Sequence, residues 1–384
     1  MESVYLDHAA SAPLRPEARA ALLPFLEGEF GNPSSRHPLG VRAAEAIERA
    51  REALAQALLV EPRQITFTSG GTEAANLAVL GLARATRSRG RHVLVGATEH
   101  SCVRACAAEL AREGFEVERV PLDAHGEVDL AAFAARVRPD TALVTQMLVN
   151  NETGVVAPVA RMAKLARARA VGVRFAVDAV QAFGKLDCAL SELGVDALFL
   201  SAHKLGGPKG AGAVALAPGV PCAPVLRGGG QEHGLRPGTE NVAAIVGFGV
   251  AARLAEEQRT ALSSRLRELR ARLLGRLGDL EGLRVIESAS GAQQPGIVAL
   301  VVPGAPAEVR VHHLARRGVF VSAGAACQSH ARELSPGLRA IGLDDDSIRC
   351  LLRLSLGAST TGEDIDRAAQ ALLDVSCELE RAAS

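Results

Sequence analysis

Short β-type runs alternate with helix-length segments through the first 216 residues. The runs at 65–68, 92–96, 115–120, 142–145, 173–177, 197–200 and 213–216 read as strands. Segments at 41–58, 74–85, 102–112, 130–137 and 160–170 read as helices between them. Strands separated by helices of this length need crossover connections, which set the strands in parallel and cover both faces of the sheet. The expectation is an α/β fold with a mostly parallel seven-stranded sheet.

After Asn241 the texture changes. Residues 242–277 form one nearly unbroken helical pattern rich in Ala, Leu, Arg and Glu, expected to join two bodies. Runs at 283–286, 296–302, 319–321 and 350–355, with helices at 307–317, 336–341 and 361–380, fit a smaller α+β domain. The expected division is a large domain over 14–255 and a small one formed by 1–13 with 256–384. A chain of 384 residues buries enough surface to need neither disulfides nor metals for its core.

Lys and Arg together number 43, as do Asp and Glu. That balance argues against a basic surface for nucleic acid, so no direct nucleic-acid partner is expected. No apolar run approaches the ~18–20 residues of a membrane helix. The opening Met1-Glu2-Ser3-Val4 lacks the basic and apolar regions of a secretory leader, so the expected location is cytoplasmic, away from membranes. The seven cysteines are irregularly spaced and contain no CxxC pair, which excludes a zinc ribbon and a thioredoxin-like motif. No metal is expected. Cys102 and Cys106 lie one turn apart on a helix and are expected to pack, although His100 is close.

The chemistry starts at Ser201-Ala202-His203-Lys204-Leu205-Gly206-Gly207. Lysine is seldom buried unpaired, and one placed just after a core strand often serves as an amine for a Schiff base. A solvated loop lysine is the plainer alternative. Asp178 closes another strand, and ligand groups of α/β sheets gather at the carboxyl ends of strands. Asp178 and Lys204 can therefore meet at one ligand, although a helix N-cap would also explain Asp178. A carboxylate for a pyridinium nitrogen and a lysine for an imine are what pyridoxal 5'-phosphate requires. Ser69-Gly70-Gly71-Thr72 ends a strand and opens a helix, where free N–H groups favour a phosphate. Ser201 and His203 add donors there. Thr98-Glu99-His100 ends another strand and places His100 to stack on a cofactor ring.

A wider set now carries a resemblance: Tyr5-Leu6-Asp7-His8-Ala9-Ala10, Gly31-Asn32-Pro33-Ser34-Ser35, Phe67-Thr68-Ser69-Gly70-Gly71-Thr72-Glu73, Thr98-Glu99-His100, Val149-Asn150-Asn151-Glu152-Thr153-Gly154, Val177-Asp178-Ala179-Val180-Gln181 and Ser201-Ala202-His203-Lys204. In this order it resembles the class V aminotransferase superfamily, and within it the cysteine desulfurases of the NifS/IscS branch. The resemblance implies a fold type I pyridoxal-phosphate transferase, a homodimer, a large cofactor-binding domain and a small domain carrying a catalytic cysteine loop. It implies that Lys204 holds the cofactor as an imine, Asp178 pairs with the pyridine nitrogen, and Gln181 hydrogen-bonds the phenolic oxygen. It further implies that His100 stacks on the ring and that Gly71, Thr72, Ser201 and His203 hold the phosphate. Thr239 is expected to reach the phosphate of the partner subunit, and Asn151 and Arg353 to bind the substrate carboxylate. Either Lys204 or His100 would take the α-proton.

The deciding residue is Cys327, in Gly324-Ala325-Ala326-Cys327-Gln328-Ser329. The family usually shows glycine-serine-alanine-cysteine-threonine-serine here, so two hydroxyls are missing from this chain. The expected reaction converts L-cysteine to L-alanine and leaves sulfur on Cys327 as a persulfide, destined for an iron–sulfur scaffold or a tRNA-thiolation protein. Three rivals stay open: another class V aminotransferase, a selenocysteine lyase, and an inactive assembly partner.

Overall fold

The computed structural model describes residues 3–324 and 334–383. Seven strands form the central sheet. Across it the order is Ile65–Thr68, Gly212–Leu216, Ala197–Ser201, Arg174–Asp178, Thr141–Met147, His92–Val95 and Glu116–Arg119. All run in parallel except Gly212–Leu216, which is antiparallel to both neighbours. The four central strands from Ala197–Ser201 to His92–Val95 are buried at every residue except Arg174, as a sheet covered on both faces demands. One apolar cluster lies on the side of Ile47, Phe175 and Phe248. Another, around Leu77, Val103 and Phe199, fills the other side.

The helix Val242–Leu277 has 36 residues and, at 1.5 Å per residue, a length of about 54 Å. Ala244, Phe248 and Ala255 belong to the first core. Leu266, Leu273 and Leu277 belong to a separate one. This second core sits on a four-stranded antiparallel sheet ordered Ser322–Ala323, Leu351–Ser355, Ile297–Val301 and Arg284–Ile286. The N-terminal strand Val4–Tyr5 pairs in parallel with Val319–Phe320, and Asp7 bridges to Ser355. The chain then passes from the small sheet to the carboxyl end of the strand Ala197–Ser201 in the large one, where the N–H of Ala12 donates to the carbonyl of His203 at 2.8 Å. Among the described residues, no helix is long and apolar enough to cross a membrane.

Candidate active site

The site lies at the carboxyl ends of the parallel strands. Asp178 is the last residue of its strand, and Ser201 is the last of the next. A single 3-10 turn, Ala202–Lys204, follows Ser201 and presents the lysine. Thr68 and Ser201 both pair with Gly212, so the turn after Thr68 emerges at the same end. Gly212 must be glycine here, because a Cβ would lie 2.5 Å from the carbonyl carbon of Gly70. The turn opens the helix Gly71–Ala85, and no side chain caps its N-terminus.

These elements enclose an open cavity of about 190 Å³. Ten of the expected residues line it: Gly71, Thr72, His100, Asn151, Asp178, Gln181, Ser201, His203, Lys204 and Arg353. Thr239 is exposed and lies outside the lining. Cys327 lies outside the described residues.

The Lys204 amine donates to the carbonyls of Ala9 and Ala10 at 2.8 and 2.7 Å. Gln181 Nε2 donates to the same Ala9 carbonyl at 2.8 Å, so the N-terminal segment forms part of the cavity floor. Asp178 Oδ1 accepts from the N–H of Val180 at 2.9 Å. Burial raises the Asp178 pKa to about 6, against the opposing pull of that hydrogen bond and of Lys204. His203 approaches Ser11 Oγ at 3.3 Å through Nδ1, and burial followed by the charge of Lys204 lowers its pKa to about 4. His203 is thus neutral at pH 7.

His100 is N-cap of the helix Ser101–Arg112. The backbone N–H of Cys102 donates to its Nδ1 at 3.3 Å, and Cys102 Sγ lies 3.0 Å from the same nitrogen. A backbone N–H can only donate, so Nδ1 accepts and the ring proton sits on Nε2. Burial pushes the Cys102 thiol above its ordinary range, so it stays protonated and donates as well. Burial, then Lys204, also lowers the pKa of His100. Both cysteines pack on one core as expected, Cys106 buried within it and Cys102 half-buried against it, and Cys102 in addition lines the cavity. Cys350 is half-buried and packs at the edge of a small apolar cluster.

Arg353 lies mid-strand in Leu351–Ser355 and is only 3% exposed. Its Nη1 donates to the carbonyl of Asn151 at 3.0 Å, and its Nη2 pairs with Asp7 Oδ1 at 2.8 Å. Sequence reasoning missed that Asp7 faces this guanidinium. It also missed Glu99, which is fully buried near Asp178 and whose pKa is pushed well up by burial and then by that carboxylate.

A lysine and a buried carboxylate at the strand ends, beside an uncapped helix N-terminus, define a class of α/β enzymes that hold a phosphorylated cofactor through an amine. The chain belongs to the aminotransferase class-V family, and within it to the NifS/IscS branch of cysteine desulfurases. The family described as "Aminotransferase class-V" matches residues 4–368. The chain is 41% identical over 374 residues to a protein named cysteine desulfurase IscS from Methylococcus capsulatus, covering 97% of this chain and 92% of that one. A solved structure titled NifS-like protein superposes with TM-score 0.91 at 32% identity, covering 99% of this chain and all of the other. Another, titled SspA in complex with cysteine, gives TM-score 0.79 at 31% identity over 92% of this chain and 99% of that one.

Proposed function

We propose that this chain is a pyridoxal-phosphate-dependent cysteine desulfurase that takes sulfur from L-cysteine onto Cys327 and releases L-alanine. The observation that carries the reading is the convergence of Lys204, Asp178, Arg353 and the uncapped start of the helix Gly71–Ala85 on one cavity. The donor set fits the cofactor. The first N–H groups of that helix, with Thr72, Ser201 and neutral His203, suit a phosphate dianion. Asp178 suits a pyridinium nitrogen, Gln181 a phenolic oxygen and His100 the ring face. Thr239 would reach the phosphate of the partner subunit in a homodimer.

When bound, the cofactor supplies an electron sink for negative charge at the substrate α-carbon. Lys204 holds it, and once displaced takes the α-proton on Nζ. His100 is unsuited to that step, because its Nδ1 is already engaged and its Nε2 already bears the proton. It serves as a donor. Arg353 and Asn151 bind the substrate carboxylate, with Asp7 sharing the guanidinium. The Cys327 thiolate attacks the substrate sulfur, the bond from that sulfur to the β-carbon breaks, and the sulfur remains as a persulfide. A proton then reaches the β-carbon and alanine leaves. The persulfide passes to an acceptor such as an iron–sulfur scaffold or a tRNA-thiolation protein in the cytoplasm. We further assign 14–255 as the cofactor-binding domain and 1–13 with 256–384 as the domain carrying Cys327.

An absorbance scan between roughly 300 and 500 nm, with alanine quantified after L-cysteine is added, tests the reading. Alanine from the wild-type protein and none from Lys204→Ala is the expected result. Alanine formation that survives loss of Lys204 would overturn it.

A further inference from the structure

A second cavity, of about 320 Å³, adjoins the first. Lys204 lines both, and it is the one residue shared among the described lining residues. Its walls come from three parts of the molecule. The N-terminal segment supplies His8 and Arg15, the large body Phe183 and Lys185, and the long helix and small body Leu262 and Leu356. Most of this lining is apolar.

The charged groups of the cavity are mainly cationic. Lys185 is half-buried, and its Nζ donates to Gln181 Oε1 at 3.4 Å. It makes no ion pair with any described residue. Burial and then the charge of Lys204 lower its pKa to about 8, with Cys188 acting the other way. Arg15 directs its guanidinium to neutral oxygens, with Nε donating to the Leu205 carbonyl at 3.0 Å and Nη1 to Gln258 Oε1 at 2.8 Å. His8 is buried and neutral, its pKa lowered to about 4 by burial and then by Lys185. Glu17 is the one carboxylate among the described lining residues, and it is exposed.

A largely desolvated ammonium without a counter-ion is destabilised, and an anion placed beside it relieves that penalty. The apolar walls require the remainder of such an anion to be hydrocarbon. We propose that this cavity is a second ligand site, for a small amphipathic monocarboxylate whose carboxylate meets Lys185 and whose chain lies along Phe183, Leu262 and Leu266. An occupant there sets negative charge beside Lys185, and so beside Gln181 and Lys204 in the neighbouring cavity.

Hexanoate is the probe and hexan-1-ol the uncharged control. Each is titrated calorimetrically into the full-length protein loaded with pyridoxal phosphate and saturated with L-alanine, which occupies the catalytic cavity. Hexanoate should bind saturably, with hexan-1-ol about tenfold weaker or more, and Lys185→Met should weaken hexanoate by a similar factor. Leu262→Trp, which fills the apolar wall and leaves the lysine in place, should abolish binding. Arg353→Lys should leave it intact. The proposal is overturned if wild type shows no saturable binding, or if hexan-1-ol binds as tightly as hexanoate. It is equally overturned if binding is lost in Arg353→Lys and kept in Lys185→Met, which would place the anion at the substrate-carboxylate site.

Discussion

The Asp178 carboxyl is buried and accepts one backbone N–H, and its pKa of about 6 lies above the ordinary 3.8. A raised carboxyl pKa means that the folded protein binds the proton more readily than the unfolded chain. Its contribution is therefore fully present below about pH 4 and is lost as pH rises through about 6. His8 and His203, both lowered to about 4, act with the opposite sign over an overlapping range, so the measurement must be a difference. For the cofactor-free protein, the stability of wild type relative to Asp178→Asn should fall by about 3 kcal/mol between pH 4 and 7, read from urea melts. A pH-independent difference would place Asp178 in a better-solvated setting. In the loaded enzyme, Asp178→Asn should slow alanine formation by about a hundredfold or more, because the carboxylate no longer holds the proton on the pyridine nitrogen. Asp178 and Lys204 were legible in the sequence because each sits in a local string that ends a strand. Cys102 beside His100 was only half legible, since the spacing showed the helix face but not that it turns toward the cavity. Asp7 opposite Arg353 was not legible, because 346 positions separate them and only the folded chain brings them together.

Among the elements, the segment after Gln231 is fixed by a buried pair. Arg51 Nη1 and Nη2 bind Glu232 Oε2 and Oε1 at 2.9 and 2.8 Å, and Glu232 Oε2 also accepts from the N–H of Phe67 at 2.7 Å. Glu232 and His233 both have positive φ, 48° and 58°, a conformation that non-glycine residues adopt only when held in it. Arg236 pairs with Glu73, which in turn accepts from the N–H of Ser69. Two arginine–carboxylate links thus tie this segment to the strand and turn that lead into the Gly71 and Thr72 end of the cavity. Arg51→Met leaves Glu232 buried and unpaired and should cost about 3–5 kcal/mol, whereas Arg51→Met with Glu232→Gln should recover part of the loss in the same denaturation assay. Gly249 meets the helix Pro38–Leu58 so closely that a Cβ would lie 2.6 Å from the Cα of Ala50. Gly249→Ala should therefore destabilise by about 1–3 kcal/mol despite the better helix propensity of alanine, and an unchanged melting temperature would contradict this packing. Long periodic segments such as Val242–Leu277 matched their sequence pattern end to end. The helices Pro16–Leu22, Leu190–Leu193 and Asp345–Arg349 did not announce themselves, because one or two turns show too little periodicity. Nor did the sequence reveal that Gly212–Leu216 runs antiparallel, since direction depends on the path of the connecting chain.

At the scale of the whole molecule, two apolar cores share one long helix, and the N-terminal segment runs from the small sheet to the floor of the catalytic cavity. The Arg353 guanidinium comes from the small sheet and the Lys204 amine follows a strand of the large one, so the cavity is complete only when both bodies are in place. The alternation of strands and helices made the large body legible. The cavity beside Lys185 was invisible, because it arises from three distant stretches whose separate patterns are those of ordinary core and loop. The most direct test of the account is mass analysis of the protein after a single turnover with L-cysteine, with each cysteine-containing peptide resolved and alanine quantified. The expected result is a gain of one sulfur atom on the peptide bearing Cys327, alanine in matching amount, and loss of both in Cys327→Ala. Sulfur carried on Cys102 instead, or alanine formed equally by Cys327→Ala, would contradict it.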